Sequence, residues 1–203
     1  MQEADVPITV DFKIMSVAQE WESNAMKRPF RIDFFESFLH ELQSLNLDSL
    51  NILELGSGPG YLAEFLLSKM PSLNMSLLDN SLAMHTLAKK RLEPVLERAQ
   101  FIERDLKQKN WSADLGKFDA IITLQAVHEL RHKRYAAELH RQVRPLLKEN
   151  GVYLFCDHYY GADANKNNQL YMSLAEQHQS LEDAGFIYSE VLNKGGRALY
   201  NAT

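Results

Sequence analysis

Asn51-Ile-Leu-Glu-Leu-Gly-Ser-Gly-Pro-Gly60 is the stretch on which the reading of this 203-residue chain turns. An apolar run of strand type ends in three alternate glycines. Leu62, Phe65 and Leu66 then recur at helical spacing until Pro71 stops the helix. Gly56, Gly58 and Gly60 let the backbone turn tightly and approach a ligand with no Cβ in the way. Asp79 follows about twenty residues later at the end of the next strand, where a carboxylate can accept from ribose hydroxyls. A bare strand-to-helix turn also uses glycines, so the loop takes its meaning from what surrounds it.

Outward from that loop, short β-type runs alternate with longer helical segments, the pattern of crossover units on a parallel sheet. The spacing predicts strands over Asn51 to Leu55, Leu73 to Leu78, Gln100 to Glu103, Phe118 to Leu124 and Gly151 to Cys156. Tyr135, Leu139, Val143 and Leu146 make an apolar helical stripe, with Gly151 near the place of a helix C-terminal cap. Gln169 to Ala184 reads as a further helix. Phe186 to Val191 and Ala198 to Ala202 flank the turn residues Asn193, Lys194, Gly195 and Gly196 as a closing hairpin. The expected fold is α/β: a Rossmann-like seven-stranded, mostly parallel sheet with helices on both faces and an N-terminal helical cap.

That cap is residues 1–49, where Phe34, Phe35, Phe38, Leu39, Leu42 and Leu45 keep helical spacing, and 50–203 form the core. No repeat, low-complexity tract or linker divides the chain, so one domain is expected.

Composition narrows the function. The 22 Lys and Arg against 27 Asp and Glu give a net charge of -5, opposite in sign to the usual nucleic-acid footprint. Apolar stretches such as Val152 to Cys156 are far shorter than the roughly 20 residues that cross a bilayer. The acidic start MQEADVPITVDF is not a secretory signal, so a cytoplasmic protein is expected. The single cysteine, Cys156, sits in an apolar run and reads as core. Histidines and carboxylates lack metal-ligand spacing, and no metal is expected.

Glu54-Leu-Gly-Ser-Gly-Pro-Gly60 resembles motif I, E/D-x-G-x-G-x-G, of the class I S-adenosylmethionine-dependent methyltransferases. The resemblance runs from about Leu50 to Ala202, through Asp79, Arg104-Asp105-Leu106, Phe118-Asp119-Ala120-Ile121-Ile122 and Leu146-Leu147-Lys148-Glu149-Asn150-Gly151. It departs at Glu149-Asn150-Gly151, where relatives commonly carry Pro-Gly-Gly. The resemblance implies S-adenosylmethionine as cofactor. Gly56 through Gly60 would lie beside its methionine part and ribose, Asp79 would hold the ribose hydroxyls, and Asp105 would meet the adenine amine. Glu54, Ser57, Asn80 and Leu106 flank those positions and count with them. Acidic strand ends suit a cofactor that offers an amine and hydroxyls as donors and carries no phosphate.

The acceptor side follows the fourth strand, at Thr123-Leu-Gln-Ala-Val-His-Glu-Leu130, where Gln125 and Ala126 are expected cofactor contacts. The Asn/Asp-Pro-Pro-aromatic sequence of amine methylation is absent there, and so is the Pro-Cys nucleophile of cytosine C5 methylation. His128 is a candidate general base, and His158, in Asp157-His158-Tyr159-Tyr160 beyond the fifth strand, is a second. Either histidine can equally be structural. Met15, Trp21, Met26, Phe30 and Phe34 are candidate acceptor-pocket residues, although apolar residues at such spacing also make ordinary packing. A small-molecule acceptor is expected, and its identity and the oligomeric state are not written in these residues.

Two other readings remain at this point. A nicotinamide-dependent oxidoreductase would share the sheet, but its G-x-G-x-x-G pattern needs a third glycine where Tyr61 stands. A non-catalytic S-adenosylmethionine-binding module would keep the same cofactor residues.

Overall fold

The computed structural model describes residues 4–161 and 164–203. Residues 1–3 of the acidic start lie outside the described residues. Seven strands form one sheet: β1 Leu50–Leu55, β2 Leu73–Asp79, β3 Ala99–Glu103, β4 Phe118–Leu124, β5 Leu147–His158, β6 Tyr188–Lys194 and β7 Arg197–Ala202. Their order is β3-β2-β1-β4-β5-β7-β6. β1 to β5 run parallel, and only β7 runs against its two neighbours.

Both faces of the sheet are covered, so its strands are nearly continuous apolar runs. Side chains alternate. Leu50 and Ile52 face helices α2 (Arg31–Ser44) and α3 (Tyr61–Lys69), while Leu53 and Leu55 face α5 (Ala136–Val143) and α6 (Leu174–Asp183). Phe34, Phe35, Phe38 and Leu42 of α2 are fully buried in the first of these layers. The cap thus packs directly on the sheet. Ahead of it, α1 (Met15–Ala25) sets Ala18 and Trp21 against Ala83, Met84 and Leu87 of α4 (Leu82–Arg91).

Three boundaries differ from the sequence reading, each for a local reason. The last helix starts at Leu174, not Gln169, because Ser173 and Glu176 form a capping box there. Just before it, the Asn167 side chain holds the Gln169 and Leu170 amides in a turn. Gly151 is not a helix cap, since β5 already begins at Leu147 and Asn150 takes the left-handed backbone, with φ 62°. Gly151 instead sits at an irregularity between β4 and β5, where a Cβ would meet the carbonyl oxygens of Lys148, Phe118 and Asp119 at 3.0–3.1 Å. The hairpin turns on Gly195 and Gly196 alone, so β6 runs on to Lys194. Cys156 is free and buried, as expected. Among the described residues, no helix is long and apolar enough to cross a membrane.

At the carboxyl ends of β1 and β4 the chain order reverses. β2 and β3 extend the sheet one way from β1, and β4 and β5 extend it the other way. The two loops diverge there and leave the crevice in which open α/β sheets bind ligands. Phe38→Ala, which empties a fully buried site under α2, is expected to lower stability by about 3–5 kcal/mol. Denaturant unfolding followed by fluorescence and circular dichroism should lose cap and sheet in one transition; two separate transitions would show that the cap folds independently.

Candidate active site

The glycine loop follows β1 directly. Gly56 has φ 68°, and both its N–H and that of Ser57 donate to the Leu78 carbonyl of β2, at 2.8 and 3.1 Å. A Cβ on Gly56 would lie 2.3 Å from Cβ of Ala126, so the loops after β1 and β4 can touch only because residue 56 has none. Asp79 closes β2 and accepts from the Gly58 N–H through Oδ2 and the Ser81 N–H through Oδ1, each at 2.9 Å. Arg91 of α4 steadies the loop from behind: it donates to the Pro59 carbonyl at 2.9 Å, stacks over Tyr61, and pairs with Glu22 and Glu64.

These elements border a cavity of about 610 Å³, within the range of cofactor and substrate sites. Glu54, Gly56, Ser57, Gly58, Asp79, Asn80, Asp105, Leu106, Gln125, Ala126, His128 and His158 all line it. Gly60 does not: with φ 79° it heads α3, where a Cβ would press on Ala88 of α4 at 3.1 Å, so this glycine serves helix packing. Of the suggested cap residues only Trp21 reaches the cavity. Phe34 is spent in the core, and Met15, Met26 and Phe30 are part-exposed elsewhere. Tyr159 and Tyr160 do not wall it either; Tyr171 does.

Two groups stand out by burial. Glu54 is 3% exposed, and its Oε2 has no partner. Burial, with the Asp79 charge beside it and Arg31 opposing, pushes its pKa up to about 8. Asp79 is also shifted upward by burial, against the pull of its backbone donors. The Ser57 hydroxyl is likewise buried without a partner.

On the β4 and β5 side, Asp157 organises the site. Although it lies on β5 as a buried residue and not in a solvated loop, it accepts from three donors: the His128 N–H at 2.8 Å, the His158 N–H at 2.7 Å, and His128 Nδ1 at 2.6 Å. Burial works against a charged imidazole at His128, but Asp157, and then Glu129 on its other nitrogen, raise its pKa to about 10. His158 goes the other way. Burial, with repulsion from His128 and nearby arginines outweighing Asp157, lowers it to about 4. A neutral His158 takes the Gln125 amide on Nε2, 2.7 Å away, and Gln125 in turn accepts from Arg31 at 3.3 Å. Gln125 has a left-handed backbone, φ 58°, unusual for its type and found where a site holds a residue under strain.

Sequence reasoning missed Asp157 as a site residue, together with Arg28, Arg31, Tyr171 and the arm Ile8 to Lys13, which forms one wall. The arm is held by Val6 to Arg131, by Ser81 Oγ to the Phe12 carbonyl, and by ion pairs of Asp5 with Lys107 and Arg134. A charge closing the apolar run Val152 to Cys156 was the available signal for Asp157. The arm carries no periodicity that would have marked it.

Residues 52–151 match the family model for a methyltransferase domain. No curated protein matches the sequence. Among solved structures, an S-adenosylmethionine-dependent methyltransferase from Clostridium acetobutylicum superposes with TM-score 0.72 at 14% identity, covering 93% of this chain and 97% of that one. An O-methyltransferase family protein from Burkholderia thailandensis gives 0.66 at 18%, covering 84% and 58%. Human N-acetylserotonin methyltransferase, in complex with S-adenosylmethionine, gives 0.68 at 16%, covering 94% and 56%. The chain therefore spans little more than half the length of the last two. Residues 52–151 are thus matched as a methyltransferase domain, and the chain as a whole shares the fold of S-adenosylmethionine-dependent methyltransferases.

Because the pKa of Glu54 is raised on folding, its contribution favours the folded state while it is protonated. That contribution fades as pH climbs from the ordinary carboxyl range towards about 8. Stability should therefore fall over that window by at most about 1.4 kcal/mol per pH unit, and Glu54→Gln should flatten the fall in urea melts. An unchanged slope in the variant would assign the effect to other groups.

Proposed function

We propose that the protein transfers the methyl group of S-adenosylmethionine to a hydroxyl of a small-molecule acceptor, with His128 receiving the hydroxyl proton. The observation that carries this reading is the 2.6 Å hydrogen bond from His128, which lines the same cavity as the glycine loop and Asp79, to the buried Asp157 behind it. The Burkholderia protein's description as an O-methyltransferase family member supports the choice of oxygen.

The residues present fit the cofactor. Each Asp79 oxygen accepts one backbone N–H and keeps a lone pair for a ribose hydroxyl. Asp105, in the turn after β3, can take the adenine amine, with Asn80 and Leu106 alongside. Glu54 and Ser57 bring unpartnered buried oxygens to the same cavity, and Gly58 leaves open space where a Cβ would stand. Gln125 and Ala126 border cofactor and acceptor. The cofactor, when bound, supplies a methyl group already activated by the sulfonium charge.

What remains for the chain is positioning, exclusion of water and custody of one proton. Asp157 orients the His128 ring through Nδ1, which leaves Nε2, next to Glu129, as the atom that takes the proton. A conjugate acid near 10 matches a phenol-like hydroxyl, whose own pKa is about 10. His158 is too weak a base at neutral pH and serves to position Gln125. We take the whole chain as one methyltransferase domain, its cap included.

Titration calorimetry with S-adenosylhomocysteine should show binding that Asp79→Ala weakens by about tenfold or more, with no binding of NADH. Retention in the variant, or binding of NADH alone, would overturn the reading. With an active acceptor, kcat/KM should rise with pH as His128 loses its proton, along a limb towards about 10. Asp157→Asn removes the chief influence that raises this pKa, so the limb should move to lower pH while the plateau drops about 10- to 100-fold. A limb that stays in place would remove His128 from the role of base.

A further inference from the structure

Three guanidinium groups gather on one side of the cavity. Arg28 and Arg31 line it, and both lie over the Trp21 ring, at 4.9 and 5.4 Å from its centre. Arg197 backs them from β7, 4% exposed, stacked over Phe34 and donating to the Pro29 carbonyl. Among the described residues none of the three is in an ion pair, although Arg31 and Arg197 are buried and buried arginines ordinarily have one. Arg31 is 8% exposed, its Nε is buried without a partner, and its one side-chain hydrogen bond is the long one to Gln125.

Burial first, and then the charges of Arg28 and Arg197, bring the pKa of Arg31 down to about 10, and burial together with Arg28 lowers that of Arg197. Glu54 is the acid that acts on Arg31, and at neutral pH it is itself largely protonated. The charge of Arg31 therefore has no ionised partner beside it, whereas Arg197 still feels Asp33. A forked donor with its Nε free, beside a second guanidinium and an aromatic ring, is suited to a planar anion held by two hydrogen bonds.

We propose that Arg31, assisted by Arg28, is a carboxylate site, and that the carboxylate belongs to the acceptor, which is thus an anionic, ring-bearing hydroxy acid. This rests on the function proposed above and specifies its substrate class. Arg31 is joined through Gln125 to His158, whose ring lies 5.3 Å from that of His128, so a carboxylate on Arg31 sits at the end of a chain of contacts leading to the proposed base. Each end has an aromatic side chain lining the cavity, Trp21 beside Arg31 and Tyr171 with its ring 5.2 Å from that of His128. The cofactor's own amino-acid end also carries a carboxylate, and the experiment is arranged to tell the two apart.

Protein saturated with S-adenosylhomocysteine is titrated with 4-hydroxybenzoate and salicylate, with phenol as the uncharged control. S-adenosylhomocysteine and 5′-methylthioadenosine, which lacks the amino-acid end, are titrated separately. Each titration is repeated with Arg31→Gln and with the exposed-side variant Arg28→Gln. The expected result is that at least one of the two hydroxy acids binds more tightly than phenol. Arg31→Gln should weaken that acid by about tenfold or more, the loss of one charge-assisted hydrogen bond, and leave phenol and both nucleosides within about twofold. Arg28→Gln should act in the same direction by a smaller factor. A preference for phenol, or acid affinities that neither variant changes, overturns the carboxylate site. Loss of S-adenosylhomocysteine affinity with 5′-methylthioadenosine unchanged assigns the arginines to the cofactor and overturns the acceptor's share. If S-adenosylhomocysteine does not bind the unaltered protein, the failure lies with the underlying function and not with Arg31.

Discussion

The approach of two backbones at the head of the sheet governs the rest of the molecule. β1 and β4 are neighbours, and their loops leave in opposite directions, yet Gly56 and Ala126 meet with no space for one more carbon. The contact is held from the other side by the Leu78 carbonyl, which accepts from Gly56 and Ser57. With the floor of the cavity fixed in this way, Asp79 faces the glycine loop, and the segment after β4 is forced into the left-handed turn at Gln125. The short helical turn that carries His128 starts directly after it.

Around this floor, one buried carboxylate sets two imidazoles to different tasks. Asp157 bonds to the side chain of His128 but only to the backbone of His158. The first ring has its proton affinity raised by its two acidic neighbours, while burial keeps the second neutral, with its Nε2 turned to Gln125. Two groups of one type, a few ångströms apart, are separated in their chemistry by which atom of each the carboxylate touches.

The sheet was legible because its signals are local. Strand runs, the helical stripe ending at Pro71 and the glycine triplet each specify their own geometry, and five strands fell within a few residues of their predicted bounds. Boundaries slipped where a side chain decided them, as at Ser173, or where a neighbouring strand did, as at Gly151. The cavity lining at the ends of β1, β2 and β3 was legible residue by residue, except that Gly60 faces a helix and not the cavity, a distinction that depends on Ala88, far away in sequence. The lining beyond β4 and β5 was only partly so. His128 and His158 could be picked out by type, but Asp157 looked like a loop residue, and nothing in the sequence singled out Arg31. Their meaning comes from what surrounds them in space, and the arm before Met15 has no pattern at all until Arg131 and Ser81 hold it.

That arm has a thermodynamic consequence. Ile8 to Lys13 supplies one wall of the cavity without belonging to any helix or strand, and the ion pairs at its root, Asp5 with Lys107 and Arg134, are partly open to solvent. A wall of this kind belongs to the least stable part of a protein and opens without global unfolding. Any ligand that rests against it shares in the free energy of ordering it, so occupancy of the cavity and order of the arm are reciprocal quantities. Ionic strength acts on the same balance: by screening Asp5 it loosens the wall, and weakens even an uncharged ligand that never meets a salt bridge.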